Sequence, residues 1–209
     1  MPASELIFSD VVKYETMSEV HSILVELQRL KRLDRTGWTL RGLPNGTESV
    51  ASHSFGVAVT AMLIADELRR EGIDVDTEKI IRMALIHDWA ETRVGDMPRT
   101  ASIYFGTDSR RQAELSAFGD MVGSLRGADD YRNLYEEYEH RKCLEAKLVK
   151  AADVLDLLIQ VLALERAGAR GLDEFWQVAE QPDFQLDGPA KDVVERLIRA
   201  VKTARSELV

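Results

Sequence analysis

Apolar residues recur at intervals of three and four along most of this sequence, with charged and polar residues between them. This spacing places the apolar side chains on one face of an α-helix. The pattern predicts helices over residues 17–33, 49–71, 77–94, 109–125, 129–141, 144–167, 173–180 and 189–207. Because no segment sustains a period of two, strands are not expected, and the predicted fold class is an all-α helical bundle.

Capping and turn-forming residues set the boundaries of these helices. Thr16 followed by Glu19 has the form of a capping box before the first helix, and Asp76 or Thr77 is suited to cap the third. Between the first two helices, residues 34–47 combine three glycines, a proline and an asparagine. Neither a helix nor a strand tolerates such a cluster, so this segment is expected to be an irregular loop.

The chain is long enough to bury one substantial core. It has 209 residues, of which 45% are hydrophobic, and no low-complexity tract, linker or internal repeat divides it. We therefore predict one domain over residues 1–209, with a core at about 17–180 and a C-terminal helix at about 189–207.

Charge and cysteine content narrow the range of partners. The formal net charge of -9 and the lack of basic clusters argue against binding to nucleic acid or to a membrane, whereas a small anionic substrate needs only one or two local cations. Cys143 is the single cysteine, which excludes an internal disulfide and a cysteine-based zinc site. The opening residues MPASELIFSD do not resemble a signal peptide, and a cytoplasmic location is expected.

The adjacent pair His87 and Asp88 is the sharpest chemical feature of the sequence. An imidazole and a carboxylate side by side at a helix end can both turn toward one metal ion, although such a pair also occurs by chance at solvated helix ends. The pair belongs to a wider set of motifs in the sequence: Glu48-Ser-Val-Ala-Ser-His53, Leu85-Ile-His-Asp-Trp-Ala-Glu91, Gly95-Asp-Met-Pro98 and Lys150-Ala-Ala-Asp153.

Together these motifs resemble the HD-domain phosphohydrolase superfamily, and within it the 5'-deoxynucleotidase (nucleoside 5'-monophosphatase) branch, from about residue 20 to 180. The resemblance implies an HD-domain helical bundle, commonly a homodimer, in which four residues hold one divalent metal ion: His53, His87, Asp88 and Asp153. Two imidazoles and two carboxylates form a mixed nitrogen and oxygen set that suits Mn²⁺, Co²⁺, Fe²⁺, Zn²⁺ or Mg²⁺. Asp156, one turn after Asp153, could be mistaken for the fourth ligand, but Asp153 fits the Lys-x-x-Asp pattern.

Glu91 and Asp96 are the catalytic candidates. On a continuous helix Glu91 shares a face with His87 and Asp88, so it could move protons at a metal-bound water; an ordinary exposed glutamate is the alternative. Asp96 lies in a tight turn after Gly95 that could aim its carboxylate into the site. The resemblance gives Asp96 a catalytic or sugar-contacting role, and a turn-stabilising aspartate is the alternative.

Arg35 and Trp38 match the substrate-binding segment of the same branch, where an arginine binds phosphate and a tryptophan lies against the sugar. A guanidinium can bind a phosphate monoester through two parallel hydrogen bonds. The alternatives are that Arg35 is a surface arginine and Trp38 a core tryptophan. The chain departs from its relatives at Ser52, where they commonly carry an acidic residue before the first metal-binding histidine. A hydroxyl brings no negative charge to raise the basicity of His53, so metal affinity or preference could differ.

The expected activity is hydrolysis of a nucleoside 5'-monophosphate, in particular a deoxyribonucleotide, to nucleoside and phosphate by water that the metal ion activates. The expected partner is therefore a small-molecule nucleotide. Two alternatives stay open: another HD-type nucleotide hydrolase, acting on a triphosphate or a cyclic nucleotide, and a non-catalytic nucleotide-binding helical protein.

Overall fold

The structure, a computed structural model, describes residues 18–180 and 182–208. Helix α1 occupies residues 18–27 and continues into a 3-10 turn at Gln28–Lys31. The helices that follow are α2 (Thr36–Thr39), α3 (Val50–Arg70), α4 (Thr77–Ile86), α5 (Glu91–Val94), α6 (Arg99–Phe105), α7 (Thr107–Val122), α8 (Ala128–Glu139), α9 (Leu144–Arg166), α10 (Asp173–Trp176), which continues into a 3-10 turn at Gln177–Ala179, and α11 (Gly188–Ser206).

The all-α prediction is confirmed. Within the described ranges the chain forms no strand, and its only β feature is one isolated antiparallel bridge between Asp34 and Ser49. That bridge closes the loop predicted over 34–47, which is irregular except for the short helix α2. None of the helices described is both long and apolar enough to cross a membrane.

Local capping fixes where the long helices begin. The Ser49 side chain accepts a hydrogen bond from the backbone N–H of Ser52 at the start of α3, and Asp76 accepts one from Lys79 at the start of α4. Asp76 is therefore the cap that the sequence left open between two residues. The capping box predicted at Thr16 lies outside the described residues.

The helix predicted from the sequence is wrong for the segment that follows α4. The helix predicted over 77–94 ends at Ile86, residues 87–90 form a turn, and α5 begins at Glu91. The His87 ring donates from Nδ1 to the carbonyl of Ala84 at 2.7 Å, and the chain proceeds by bonds of the i to i+3 type, such as Trp89 N–H to Ile86. This tighter winding turns the backbone at the His-Asp pair.

Two hydrophobic clusters hold the bundle together. The larger one joins α3, α4, α9, α10 and α11, and its most extensive packing is between α3 and α9. The smaller one lies among α1, α7, α8 and the end of α4, with Phe118 stacked on Tyr135 at 4.0 Å between ring centroids. His87 follows Ile86 of the smaller cluster, while its ring packs against Tyr138 of the larger one. The His-Asp pair thus sits where the two clusters meet.

The predicted single domain over 1–209 includes residues 1–17, which lie outside the described residues, and it stays a prediction.

Candidate metal centre and active site

The four predicted metal ligands converge from three parts of the fold. His53 lies in the first turns of α3, His87 and Asp88 form the turn after α4, and Asp153 lies in the middle of α9. His53 Nε2 is 3.1 Å from Asp153 Oδ1 and 3.9 Å from Asp88 Oδ2, which is itself 3.1 Å from His87 Nε2. Ligand atoms of His53, His87 and Asp153 all lie within 4.8 Å of one another. We call these four residues the His-Asp cluster.

His87 turns its Nε2 toward this cluster. Because Nδ1 donates to the Ala84 carbonyl, Nε2 carries the lone pair when the ring is neutral. Nε2 is fully buried and has no hydrogen-bond partner among the described residues, although the Asp88 carboxylate lies beside it. A bare imidazole nitrogen facing carboxylate oxygens is unfavourable unless a cation lies between them. The donor set therefore fits a divalent metal ion.

The charges around His53 point the same way. Burial and the positive charge of Arg35 would lower the pKa of His53, but hydrogen bonds to Asp153 and Asp156 outweigh them and raise it to about 9. The two carboxylates thus stabilise a positive charge on the His53 ring or at either of its two nitrogens. A metal ion at Nε2 would satisfy the same preference.

The two carboxylates of the cluster are held ionised. Burial alone would raise the pKa of Asp88 and of Asp153, yet both are lowered well below the usual range. His87 and Arg35 lower that of Asp88, and Lys150 and His53 lower that of Asp153. Both side chains are therefore available as anionic ligands at neutral pH.

Glu91 lies beside the cluster and is buried, with 3% of the residue exposed. It is the first residue of α5, so the uninterrupted helical face expected from the sequence does not exist. Its Oε2 is buried without a hydrogen-bond partner among the described residues. Burial, followed by the negative charges of Asp88 and Asp96, raises the pKa of Glu91 well above its usual value. Burial and these negative charges therefore favour the protonated form of this carboxyl group.

Asp96 and Arg35 meet beside the His-Asp cluster. Gly95 has φ 79° and ψ 159°, a backbone conformation essentially restricted to glycine, and it turns Asp96 toward α2. The Asp96 carboxylate accepts from the Thr36 backbone N–H, and Arg35 Nη1 lies 3.3 Å from Asp96 Oδ1 and 3.4 Å from Asp88 Oδ2. Asp96 thus stabilises the turn and contacts Arg35 beside the cluster, and its catalytic or sugar-contacting role stays a prediction.

Trp38 is buried and approaches the His-Asp cluster through Glu48, whose carboxylate lies within 4.8 Å of His53. Only 2% of it is exposed, and its ring packs against Phe175 with 4.6 Å between centroids. Its indole N–H donates to Glu48 at 2.6 Å. Trp38 lies in the larger hydrophobic cluster, beneath the loop that carries Arg35. The sugar contact expected of this residue stays a prediction.

Two cations near the cluster were not singled out by the sequence analysis. Lys150 Nζ lies 2.6 Å from Asp153 Oδ2, and the Lys-x-x-Asp motif could have drawn attention to it. Arg110, on α7, is oriented by a 2.7 Å bond from Nε to Glu114. Burial would lower the pKa of Arg110, but Glu114, Glu91 and Asp88 raise it. Its guanidinium therefore interacts electrostatically with acidic residues in and beside the His-Asp cluster. Nothing in the local sequence marks Arg110, because α7 approaches only through tertiary packing.

Comparison with known proteins places this geometry in a family. Residues 27–181 match the family model described as HD domain. The 5'-deoxynucleotidase HDDC2 of Danio rerio is 36% identical over 156 residues, which is 73% of this chain and 74% of that protein. The 5'-deoxynucleotidase YGK1 of Saccharomyces cerevisiae is 31% identical over 155 residues, 71% of this chain and 69% of that protein.

Solved structures agree in fold. A conserved hypothetical protein from Pyrococcus furiosus is 36% identical with a TM-score of 0.75, covering 87% of this chain and 98% of that one. The PH0347 protein from Pyrococcus horikoshii is 33% identical, also with a TM-score of 0.75, covering 88% of this chain and 98% of that one. The helical arrangement is therefore shared over nearly the whole of both proteins.

Proposed function

Because this chain belongs to the HD-domain family, we propose that it is a metal-dependent phosphohydrolase that releases phosphate from nucleoside 5'-monophosphates, deoxyribonucleotides in particular. The relatives named 5'-deoxynucleotidase support this substrate class. The observation that carries the proposal is the buried Nε2 of His87, which has no hydrogen-bond partner within the described ranges and faces the Asp88 carboxylate, with Arg35 beside the same carboxylate.

His53, His87, Asp88 and Asp153 would hold one divalent metal ion. When bound, such an ion supplies Lewis-acid stabilisation of phosphate oxygens and lowers the pKa of water. The mixed nitrogen and oxygen donor set is compatible with Mn²⁺, Co²⁺, Fe²⁺, Zn²⁺ and Mg²⁺, of which the more nitrogen-tolerant transition metals are the better match to two imidazoles.

Arg35 would bind the 5'-phosphate. Its side chain is 18% exposed, so the side chain is largely shielded from water but still partly accessible. Only Nη1 contacts acceptors among residues 18–180 and 182–208, at distances of 3.3 and 3.4 Å that indicate weak bonds. A phosphate could therefore recruit the remaining donors in a bidentate arrangement and share in neutralising charge.

Glu91 would move the proton. Since its raised pKa favours the protonated carboxyl group, it is suited to donate a proton to the 5'-oxygen as the nucleoside departs. Asp96, already engaged by Arg35 and Thr36, is better suited to orient Arg35 toward the phosphate than to exchange protons. We assign it that orienting role, with a direct catalytic role as the alternative.

A substrate panel on the purified protein tests this proposal. Phosphate release would be measured with each of the five metal ions on 5'-deoxy, 5'-ribo and 3'-deoxy monophosphates, with deoxynucleoside triphosphates and cyclic nucleotides in parallel. We expect metal-dependent release from the 5'-monophosphates, fastest with deoxyribonucleotides. Faster release from a triphosphate or a cyclic nucleotide would show that the protein has another HD-type activity. Binding of metal and nucleotide without turnover would identify it as a non-catalytic nucleotide-binding protein.

Assembly as a homodimer and a cytoplasmic location also remain proposals that rest on the family. Light scattering coupled to size-exclusion chromatography would test the first. A monomer at the concentrations used for the activity assays would contradict it.

A further inference from the structure

Asp156 makes a direct contact with the metal centre that its place in the sequence does not explain. It lies on α9, one turn after Asp153, and its Oδ2 is 2.8 Å from Nδ1 of His53. The two nitrogens of the His53 ring therefore face two carboxylates, Asp153 at Nε2 and Asp156 at Nδ1. The ring is 1% exposed and the Asp156 side chain 14% exposed, so this contact is largely shielded from water.

A glycine on α3 makes room for that carboxylate. A Cβ atom on Gly56 would lie 2.0 Å from Asp156 Oδ1 and 2.7 Å from its Cγ. Neither distance is tolerated between non-bonded atoms, so any larger residue at 56 would displace the Asp156 side chain. Gly56 has ordinary helical backbone geometry, so its value here is the missing side chain rather than its conformational freedom.

The other neighbours of His53 cannot replace Asp156. Ser52, the residue next to it in sequence, has its hydroxyl 2.9 Å from that of Ser49 at the start of α3. Glu48 lies within 4.8 Å of both His53 and Asp156, but its Oε2 accepts the indole N–H of Trp38. Glu48 thus has a partner of its own in Trp38, whereas Asp156 contacts the His53 ring directly.

The two histidines of the cluster are consequently supported by different acceptors. His87 donates from Nδ1 to a backbone carbonyl, a neutral group, whereas His53 donates to a carboxylate. A charged acceptor fixes the tautomer that exposes Nε2 and also makes that nitrogen more basic.

We propose that Asp156 is a positioning residue of the metal centre, which orients His53 and strengthens it as a ligand, and that Gly56 provides the space this requires. The proposal rests on the metal centre of the proposed function. It assigns to Asp156 the negative charge that Ser52 does not bring.

The test measures the affinity for Mn²⁺ and Co²⁺ by competition with a chelator, together with thermal melts of the metal-free protein. In Asp156→Asn the amide can still accept the Nδ1 proton but carries no charge, so we expect affinity about 10–100-fold weaker. Asp156→Glu keeps the charge but displaces it by one methylene group. Its metal affinity should therefore lie between those of the wild type and Asp156→Asn. Gly56→Ala reaches the same contact from the other helix, so it tests the proposal even if Asp156→Asn does not fold.

Two matched controls separate this role from a general effect on helices. Gly119→Ala, on α7, places a Cβ at an ordinary 3.7 Å from Arg132, and Asp66→Asn changes a surface aspartate of α3. Both should leave metal affinity unchanged. The double variant Gly56→Ala with Asp156→Asn should bind metal no more weakly than the weaker of its two single variants, because both changes remove one contact.

The results distinguish the two proposals. If the wild type binds metal and Asp156→Asn binds it equally well, the positioning role is overturned and the metal centre stands. Additive losses in the double variant would also overturn it, since Gly56 would then act elsewhere. If the wild type binds none of the metal ions, the metal centre fails and the positioning role fails with it.

Discussion

The candidate site has two sides that are built differently. The long-helix side consists of His53, Asp153 and Asp156 on α3 and α9, the most extensively packed helix pair in the described part of the chain. The turn side consists of the residues around Arg35, Asp88, Glu91 and Asp96, carried by turns and by the four-residue helices α2 and α5. The first is held by a hydrophobic core, the second mainly by polar contacts among its own members.

This difference separates two tasks. Metal ligands need fixed distances, and two of the four, His53 and Asp153, lie on long packed helices that supply them. Groups that meet the phosphate and the leaving oxygen are carried by turns and short helices, segments that often supply binding and catalytic residues. Changes on the turn side that spare Asp88 should therefore reduce turnover while metal remains bound, and the predictions below test that separation.

The largest effect is expected from removing a ligand. Asp153→Ala should lose bound metal and reduce phosphate release to background, because it removes one of four ligands and leaves Lys150 without its partner. Asp88→Ala should do the same from the turn side. Metal content, activity and circular dichroism would be measured together, with Asp129→Ala, at a side chain 88% exposed on α8, as control. Full metal content and turnover in either ligand variant would refute the ligand set.

Glu91→Gln should come next. The amide has nearly the same shape but cannot donate an acidic proton, so we expect kcat to fall on the order of 10²–10⁴-fold with metal content unchanged. Glu78→Gln, on an α4 side chain 83% exposed, is the matched control. Loss of metal in step with activity would instead identify Glu91 as a ligand.

Arg35→Ala should reduce kcat/KM by roughly 10²–10³-fold, as removal of one charge-stabilising donor commonly does, while metal stays bound. Arg35→Lys should recover only part of the lost kcat/KM, because an ammonium group cannot form the two parallel hydrogen bonds of a guanidinium. Arg70→Ala, at a side chain 70% exposed on α3, serves as control. An unchanged kcat/KM in Arg35→Ala would remove this residue from the phosphate site.

The smallest effect on activity is expected at Trp38. Trp38→Phe removes the indole N–H that satisfies buried Glu48, which should cost about 1–3 kcal/mol of unfolding free energy. Since Trp38 is nearly fully buried, we expect the ratio of kcat/KM for paired deoxyribo- and ribonucleotides to stay the same. The ratio would be measured alongside urea denaturation. A narrowed ratio would establish the sugar contact and place Trp38 on the turn side of the site.

The sequence by itself determined the elements whose signals are local. The predicted helices 49–71 and 144–167 differ from α3 and α9 by one residue or less at each end, because apolar periodicity runs through them and a serine cap or a glycine marks a boundary. The motifs around His53, His87 and Asp153 likewise identified residues that the fold brings within a few ångströms. Such motifs carry their chemistry in residue type and spacing alone.

Tertiary structure decided whatever depends on residues distant in the chain. Helix α6 was missed because its apolar residues Ile103, Tyr104 and Phe105 are consecutive and exposed, with no periodic spacing to detect. Trp38 is buried because Phe175, far along the chain, packs on it. Asp156 reaches His53 across 103 positions, through a gap that exists only because Gly56 has no side chain. Packing two helices face to face creates such contacts, and neither helix carries a local signal of the space that its partner leaves open.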